Sequence, residues 1–381
     1  MKFVRNWGRL GMKCKLEDIA DINMGQSPKS VYYNNEGIGY PFLQGNRTFG
    51  FKYPTFDTYT TVATKLAKTG DIIMSVRAPV GELNITPVDM CLGRGVCSLR
   101  MKNGNQDFLF YMMKYYVSHL LRKEGGTVFG SVNRKDISSL EVDITDNIET
   151  QKRIARYLSM LDDKIELNSK INNNLEQQAQ AIFKSWFIDF EPFSNRKPSD
   201  WSVSTLGNVS IMGAGGDKPQ NVSPIKTDLY EYPIYSNGLS NEGLYGFTDK
   251  PKISEESVTV SARGTIGFVC LRHIPYVPIV RLVTLIPKTE IVSAKYLYLW
   301  LKQLHITGTG TTQQQLTVPD FQKTEILVPS QKIVTLFTAT VEPIFEKIWA
   351  NQNENEKLSS LRDTLLPKLM SGELDVSDTE I

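Results

Sequence analysis

The run Ile154, Leu158, Leu161, Ile165, Asn168, Asn172, Leu175, Ala179, Ile182, Trp186 alternates steps of four and three residues. It is a heptad seam, so it predicts one long helix with two Asn layers at its middle. No Gly or Pro interrupts the chain from Asp146 to about Phe190. Moving 183 positions on gives Phe337, Val341, Ile344, Ile348, Asn351, Asn355, Leu358, Arg362, Leu365, Leu369. The long helix is therefore written twice, with its Asn pair in the same two places. Only Arg362 breaks the second seam, and Leu361 beside it is expected to fill that layer. Asn168, Asn172, Asn351 and Asn355 read as register-fixing polar layers. Pairing Asn168 with Asn355 and Asn172 with Asn351 sets Ile165 against Leu358 and Leu158 against Leu365. The same register sets Ile154 against Leu369, Leu175 against Ile348 and Trp186 against Phe337. The seam by itself also admits a parallel pairing. Pro343 is expected to kink the second helix or start it afresh.

The repeat continues outside the helices. Leu16 to Ile22, followed by Gly25 and Pro28, matches Leu206 to Ile211, followed by Gly213 and Pro219. Tyr40-Pro41-Phe42 matches Tyr232-Pro233-Ile234, each a strand leading into a polar loop. Gly70 to Arg77, with Gly81, matches Glu256 to Arg263, with Gly267. Phe108 to Lys114 matches Tyr296 to Lys302, an aromatic, mostly buried helix. Gly126-Thr127, Val132 and Asp136-Ile137 match Gly310-Thr311, Leu316 and Asp320-Phe321. The plan is globule, helix, globule, helix: 13–145, 146–192, 199–329 and 330–376. The expected fold class is α+β, two α/β globules and two long helices in a pseudo-twofold repeat.

The chain has 381 residues, 41% hydrophobic and 22% charged, with a net charge of +2. These are ordinary globular values. Charge is uneven: residues 1–145 hold 19 Lys and Arg against 13 Asp and Glu. The first globule is the better surface for an anionic partner, although solvated lysines give the same surplus. Cys14, Cys91, Cys97 and Cys270 are scattered, and His119, His273 and His305 do not join them at metal-site spacing. Reduced thiols and a cytoplasmic location are expected. No apolar run approaches about 20 residues, so no membrane span is expected. Met1 to Gly11 reads as a basic leader, with Met12 an alternative start.

Catalytic motifs are missing from the sequence. There is no phosphate-binding G-x-x-x-x-G-K-[ST] loop, no G-x-G-x-x-G and no G-x-S-x-G elbow. There is also no [DNS]-P-P-[YF] stretch of the kind amino-methylating enzymes use. Asp162-Asp163-Lys164 has the chemistry of a metal-dependent nuclease, but it lies beside the seam and reads better as a solvated helical face.

The polar loops carry the binding chemistry. Gln44, Asn46 and Arg47 follow one strand, and Ser236 and Asn237 follow its match. Thr127, Ser131, Asn133 and Arg134 line one Gly-Thr loop. Thr311, Thr312, Gln313, Gln314 and Gln315 line the other. Asn and Gln read adenine, Arg reads guanine, and Ser or Thr meets base edges or phosphate. Arg77 and Arg263 fall at equivalent points after a strand. A phosphate clamp and an ion pair inside each globule both fit them. Strand residues match between the halves while loop residues differ, as expected of one scaffold with two reading surfaces.

Leu161 to Asn168 with Ala181 to Phe190, and Leu358 to Asp375 with its Leu361-Arg362-Asp363-Thr364-Leu365-Leu366-Pro367-Lys368-Leu369 core, resemble the conserved regions of the DNA specificity subunit of type I restriction–modification systems. The likeness covers nearly the whole chain. It implies target-recognition domains that read a two-part site in double-stranded DNA, one half each. It implies partners: two methyltransferase subunits and, through them, motor–nuclease subunits. S-adenosylmethionine, ATP and magnesium would belong to those partners, and this chain would bind no cofactor and catalyse nothing. With the repeat, it selects an antiparallel coiled coil. A helix of about 38 residues is about 57 Å long, a ruler between half-sites. Two other readings stand beside it: a scaffold that binds only proteins, and a fragment of a DNA-processing enzyme.

Overall fold

The computed structural model describes residues 11–121, 130–308 and 315–376. Two helices dominate it, a central one at Ile148–Phe187 and a distal one at Gln331–Met370, each 40 residues long. The distal helix runs through Pro343 as one element, so it does not start afresh there. Pro343 is exposed, so water can hydrate the carbonyl that loses its amide donor. No helix among the described residues is long and apolar enough to cross a membrane.

The chain divides into two compact units. One takes in the chain up to Ser169 and again from Gln352; the other is Lys170–Asn351. In the first unit, Gly11–Lys15 pairs antiparallel with Glu141–Thr145. A four-stranded sheet follows in the order Ala20–Met24, Val96–Met101, Ile72–Ser75, Leu83–Ile85. The helix Gln106–Leu121 covers it with Phe108, Leu109, Tyr111, Met112 and Met113, all buried. Beside this sheet, Tyr40–Leu43 pairs parallel with Met90–Leu92.

The second unit repeats this plan. Ser202–Thr205 pairs with Glu325–Val328. Its four-stranded sheet runs Ser210–Ala214, Leu282–Pro287, Ser257–Ser261, Val269–Arg272. Tyr232–Tyr235 pairs parallel with Val277–Pro278. Register corrects one sequence match. The Gly25 amide bonds the Val96 carbonyl, and the structurally equivalent amide, bonding Leu282, is that of Gly215 rather than Gly213. Both positions exclude a side chain: a Cβ would lie 2.0 Å from the Gly93 carbonyl oxygen at Gly25 and 2.2 Å from that of Ile279 at Gly215. Nothing crowds Gly213.

Each unit holds an antiparallel piece of the coiled coil. In the first, Asn168 donates to Asn355 Oδ1 at 2.9 Å and to Glu354 Oε2 at 2.8 Å. In the second, Asn351 donates to Asn172 Oδ1 at 2.8 Å, and Asn172 donates to the Ile348 carbonyl at 3.2 Å. Asn168 and Asn351 are buried, so these amides need one another. Trp186 packs on Phe337 with ring centroids 5.7 Å apart. Ile154, Leu158 and Leu369 are buried in one cluster with the first sheet.

Two expectations near the seam fail. Leu361 is exposed, and Arg362 occupies the layer instead. Asp162 is not on a solvated face: it is fully buried. Its carboxylate accepts from Arg362 Nη1 at 2.7 Å and from the Tyr111 hydroxyl at 2.9 Å, with Lys114 Nζ at 3.4 Å. The reason is tertiary. The aromatic helix of the globule lies over the central helix at that turn, and Lys52, with little of its side chain exposed, pairs Asp163 at 2.9 Å. The residue 183 positions on is Phe345, which meets the Tyr298 ring at 5.9 Å. The second unit fixes its globule to the helices with Lys295, buried between Glu256 (2.7 Å) and Glu342 (3.0 Å), and with Tyr296 against Phe187 at 4.9 Å.

Candidate nucleic-acid interface

Three backbone rungs gather the loops of the first unit at one end of its sheets. The Gly93 amide donates to the Leu43 carbonyl at 2.8 Å. The Val76 amide donates to Gly95 at 2.9 Å, and the Val132 amide to Val76 at 3.0 Å. Gln44, Asn46 and Arg47 thus lie next to the turn Gly93–Val96, that turn next to Arg77, and Arg77 next to Ser131, with which it forms a β-bridge. Asn133 and Arg134 follow directly. The second unit has the same rungs. Ile279 donates to Tyr235, Ala262 to Arg281 and Leu316 to Ala262, at 2.9, 3.0 and 2.9 Å. Ser236, Asn237, Arg263 and Gln315 are brought together by them. Thr127, Thr311, Thr312, Gln313 and Gln314 lie outside the described residues.

The side chains in these loops do different work. Arg47 bonds both oxygens of Asp57, at 2.8 and 2.7 Å, and holds that carboxyl below the usual range. Ser27 donates to Gln44 Oε1 and accepts from the Arg94 amide, both at 3.1 Å. A cavity of about 600 Å³ opens there, lined by Lys29, Gln44, Arg47 and Arg94. Asn237 is committed to the backbone: Oδ1 accepts from Ala262, and Nδ2 donates to the Arg263 carbonyl. Ser236 donates to the Gly243 carbonyl at 3.3 Å. Among the described residues no carboxylate pairs with Arg77 or Arg263. Their charge is available to an external anion.

Asn133 caps the helix Arg134–Ser138. Its Oδ1 accepts from Lys135 and Asp136, and Asp136 returns a bond to the Asn133 amide. Thr317 caps Val318–Phe321 at the matching place. Asn133→Ala is therefore expected to lower stability by about 1 kcal/mol, while Asn133→Asp, an equally good cap, changes it little. Urea denaturation of the two variants checks this. A DNA-binding defect common to both would belong to the lost amide, and one confined to Ala would belong to the lost cap.

Sequence reasoning missed Arg94 and Arg281. Arg94 had a signal, since it stands between two glycines at the tip of a tight turn. Arg281 had none.

Comparison with known proteins points the same way. A family profile described as type I restriction modification DNA specificity domain matches residues 11–177 and again 198–359. The MjaIX type I restriction enzyme specificity subunit of Methanocaldococcus jannaschii is 26% identical, over 96% of this chain and 93% of its own length. The HindI specificity subunit of Haemophilus influenzae is 29% identical, over 82% and 88%. The crystal structure of a type I restriction–modification S subunit from M. genitalium superposes with a TM-score of 0.58 at 18% identity, covering 94% of this chain and 96% of that one. At that identity it speaks for the fold alone.

Proposed function

We propose, because this chain belongs to the type I restriction modification DNA specificity family, that it reads a bipartite site in double-stranded DNA. Residues 13–145 would take one half-site and 199–329 the other. One observation carries the reading: matching backbone rungs in the two units present unlike residues at equivalent places, Gln44 against Ser236, Arg94 against Val280 and Gly95 against Arg281. A shared scaffold with unlike tips suits two different base sequences. The helices 146–192 and 330–376 would hold the methyltransferase subunits and, through them, the motor–nuclease subunits. Outward apolar residues on them, Met160, Leu167 and Leu361, suit that role. In this reading S-adenosylmethionine, ATP and magnesium are used by the partners, the chain itself is non-catalytic, and it works in the cytoplasm.

The test is methylation sequencing of cells carrying the chain with its methyltransferase subunit. A split motif, two defined parts around an undefined spacer, is the expected result. A continuous motif, or methylation indifferent to loss of this chain, would overturn the reading.

A further inference from the structure

We propose that Arg281 is a phosphate-contacting residue of the second globule, presented to DNA by a strained turn. The inference rests on the DNA-reading function above and assigns one of its contacts.

The argument starts from position. Leu282 donates to the Ile279 carbonyl at 3.3 Å, closing the turn in which Arg281 sits. Val96 closes the equivalent turn on Gly93 at 3.2 Å. The rungs through Val76 and Ala262 make Gly95 and Arg281 counterparts. At Gly95 a side chain is excluded, since a Cβ would lie 2.3 Å from the Gln44 carbonyl oxygen. At 281 the backbone adopts φ +71°, the left-handed region. Glycine enters it freely, and a long side chain does so at a cost. The fold itself places an arginine where its backbone favours glycine.

Among the described residues nothing offsets that cost. Arg281 is exposed, and among the described residues it has no ion pair and no side-chain hydrogen bond. Arg272 of the same unit is the contrast. It is buried, bonds Thr259 and Glu242, and stacks on Tyr235 at 3.6 Å. That arginine serves the core; Arg281 does not. Strained, non-glycine backbone that the core does not require is a mark of functional positions.

The neighbour on the next rung decides the ligand. Arg263 also lacks a carboxylate partner, and Asn237 fixes its backbone on both sides. Arg281 and Arg263 flank one backbone rung, the Ala262 amide to the Arg281 carbonyl at 3.0 Å, and neither has a carboxylate partner among the described residues. A base edge is neutral and leaves both charges uncompensated. A phosphodiester carries a full negative charge and accepts bidentate bonds from guanidinium. The pair therefore suits the DNA backbone.

The experiment uses the full chain assembled with its methyltransferase subunits. Binding of wild type, Arg281→Gly and Arg281→Lys is followed by fluorescence anisotropy over a range of salt, on two duplexes. One carries the methylated motif, and the other has its second half-site altered. Arg281→Gly is expected to bind about tenfold more weakly to both, with a salt slope shallower by about one. Its melting temperature is expected to equal or exceed that of wild type, because glycine relaxes the turn. Arg281→Lys is expected to fall between the two in affinity. Unchanged affinity and slope would overturn the assignment. A loss on the motif duplex alone would make Arg281 a base reader, and a lowered melting temperature would make it structural. Failure of wild type to bind either duplex would instead sink the DNA-reading function itself.

Discussion

Asp162→Ala is expected to lower the stability of the first unit by about 3–5 kcal/mol. The carboxylate is the buried acceptor of a cluster with Arg362, Lys114 and the Tyr111 hydroxyl, and the exposed Asp363 holds Arg362 from the other side at 2.8 Å. Removing it leaves Lys114, 24% of its side chain exposed, without an ion-pair partner among the described residues, and leaves Arg362, 13% exposed, with Asp363 alone. The Tyr111 hydroxyl also loses its acceptor. Breaking one side of a buried ion pair costs more than replacing the whole pair, because the survivor stays dehydrated. The double variant Asp162→Leu with Arg362→Leu should therefore recover a large part of the loss. Urea denaturation measures both. A single variant within 1 kcal/mol of wild type would mean that water already reaches the cluster. The deficit should also depend on pH. Burial, opposed by Asp162 and reinforced by Arg362, pushes the Lys114 ammonium below its ordinary value. A lysine whose folded pKa lies below its unfolded one binds its proton better when unfolded. Stability from its neutral form thus appears as pH rises through the depressed value. With Asp162 gone that value drops further, so the deficit of the variant should shrink on the alkaline side.

This cluster also marks what the sequence could and could not disclose. The seam from Ile154 to Trp186, its copy and the Asn layers were legible because heptad spacing is local. The strand and Gly-Thr matches were legible because the halves repeat. Asp162 was not. Beside Asp163 and Lys164 it reads as a solvated face, and only the aromatic helix carrying Tyr111 and Lys114 turns it inward. Arg362 was misread for the same reason: its partner lies 200 residues away in sequence. The candidate site was half legible. Polar loops at strand ends gave Gln44, Arg77, Ser131 and Arg263, which the backbone rungs then assemble. Asn133 and Asn237 looked like base readers because they are Asn in loops, yet their oxygens hold backbone amides. The equivalence of Arg281 with Gly95 has no trace in residue type, since it exists only in strand register.

Replacing residues 13–145 with the matching globule of another member of this family is expected to change one half of the methylated motif and leave the other half intact. The ground is that the first unit closes its own sheets and its own core without the second globule. Each mismatched base pair costs about 1–3 kcal/mol, so exchanging a whole reading surface should switch that half-site completely. The buried cluster adds a condition. Tyr111, Lys114 and Lys52 belong to the exchanged segment, whereas Asp162, Asp163 and Arg362 stay with the helices. An incoming globule that supplies a tyrosine and a lysine at those places should fold and switch specificity. One that supplies neither should suffer much of the Asp162→Ala penalty, and should regain stability when Asp162 and Arg362 are made apolar together. Two chimaeras, one of each kind, separate recognition from docking. Methylation sequencing reads the motif and urea denaturation reads the fold. A stable chimaera that alters both halves of the motif, or neither, would overturn the division of labour between the two globules. A chimaera lacking the tyrosine and lysine yet as stable as wild type would show that Asp162 is not what ties the globule to the helices.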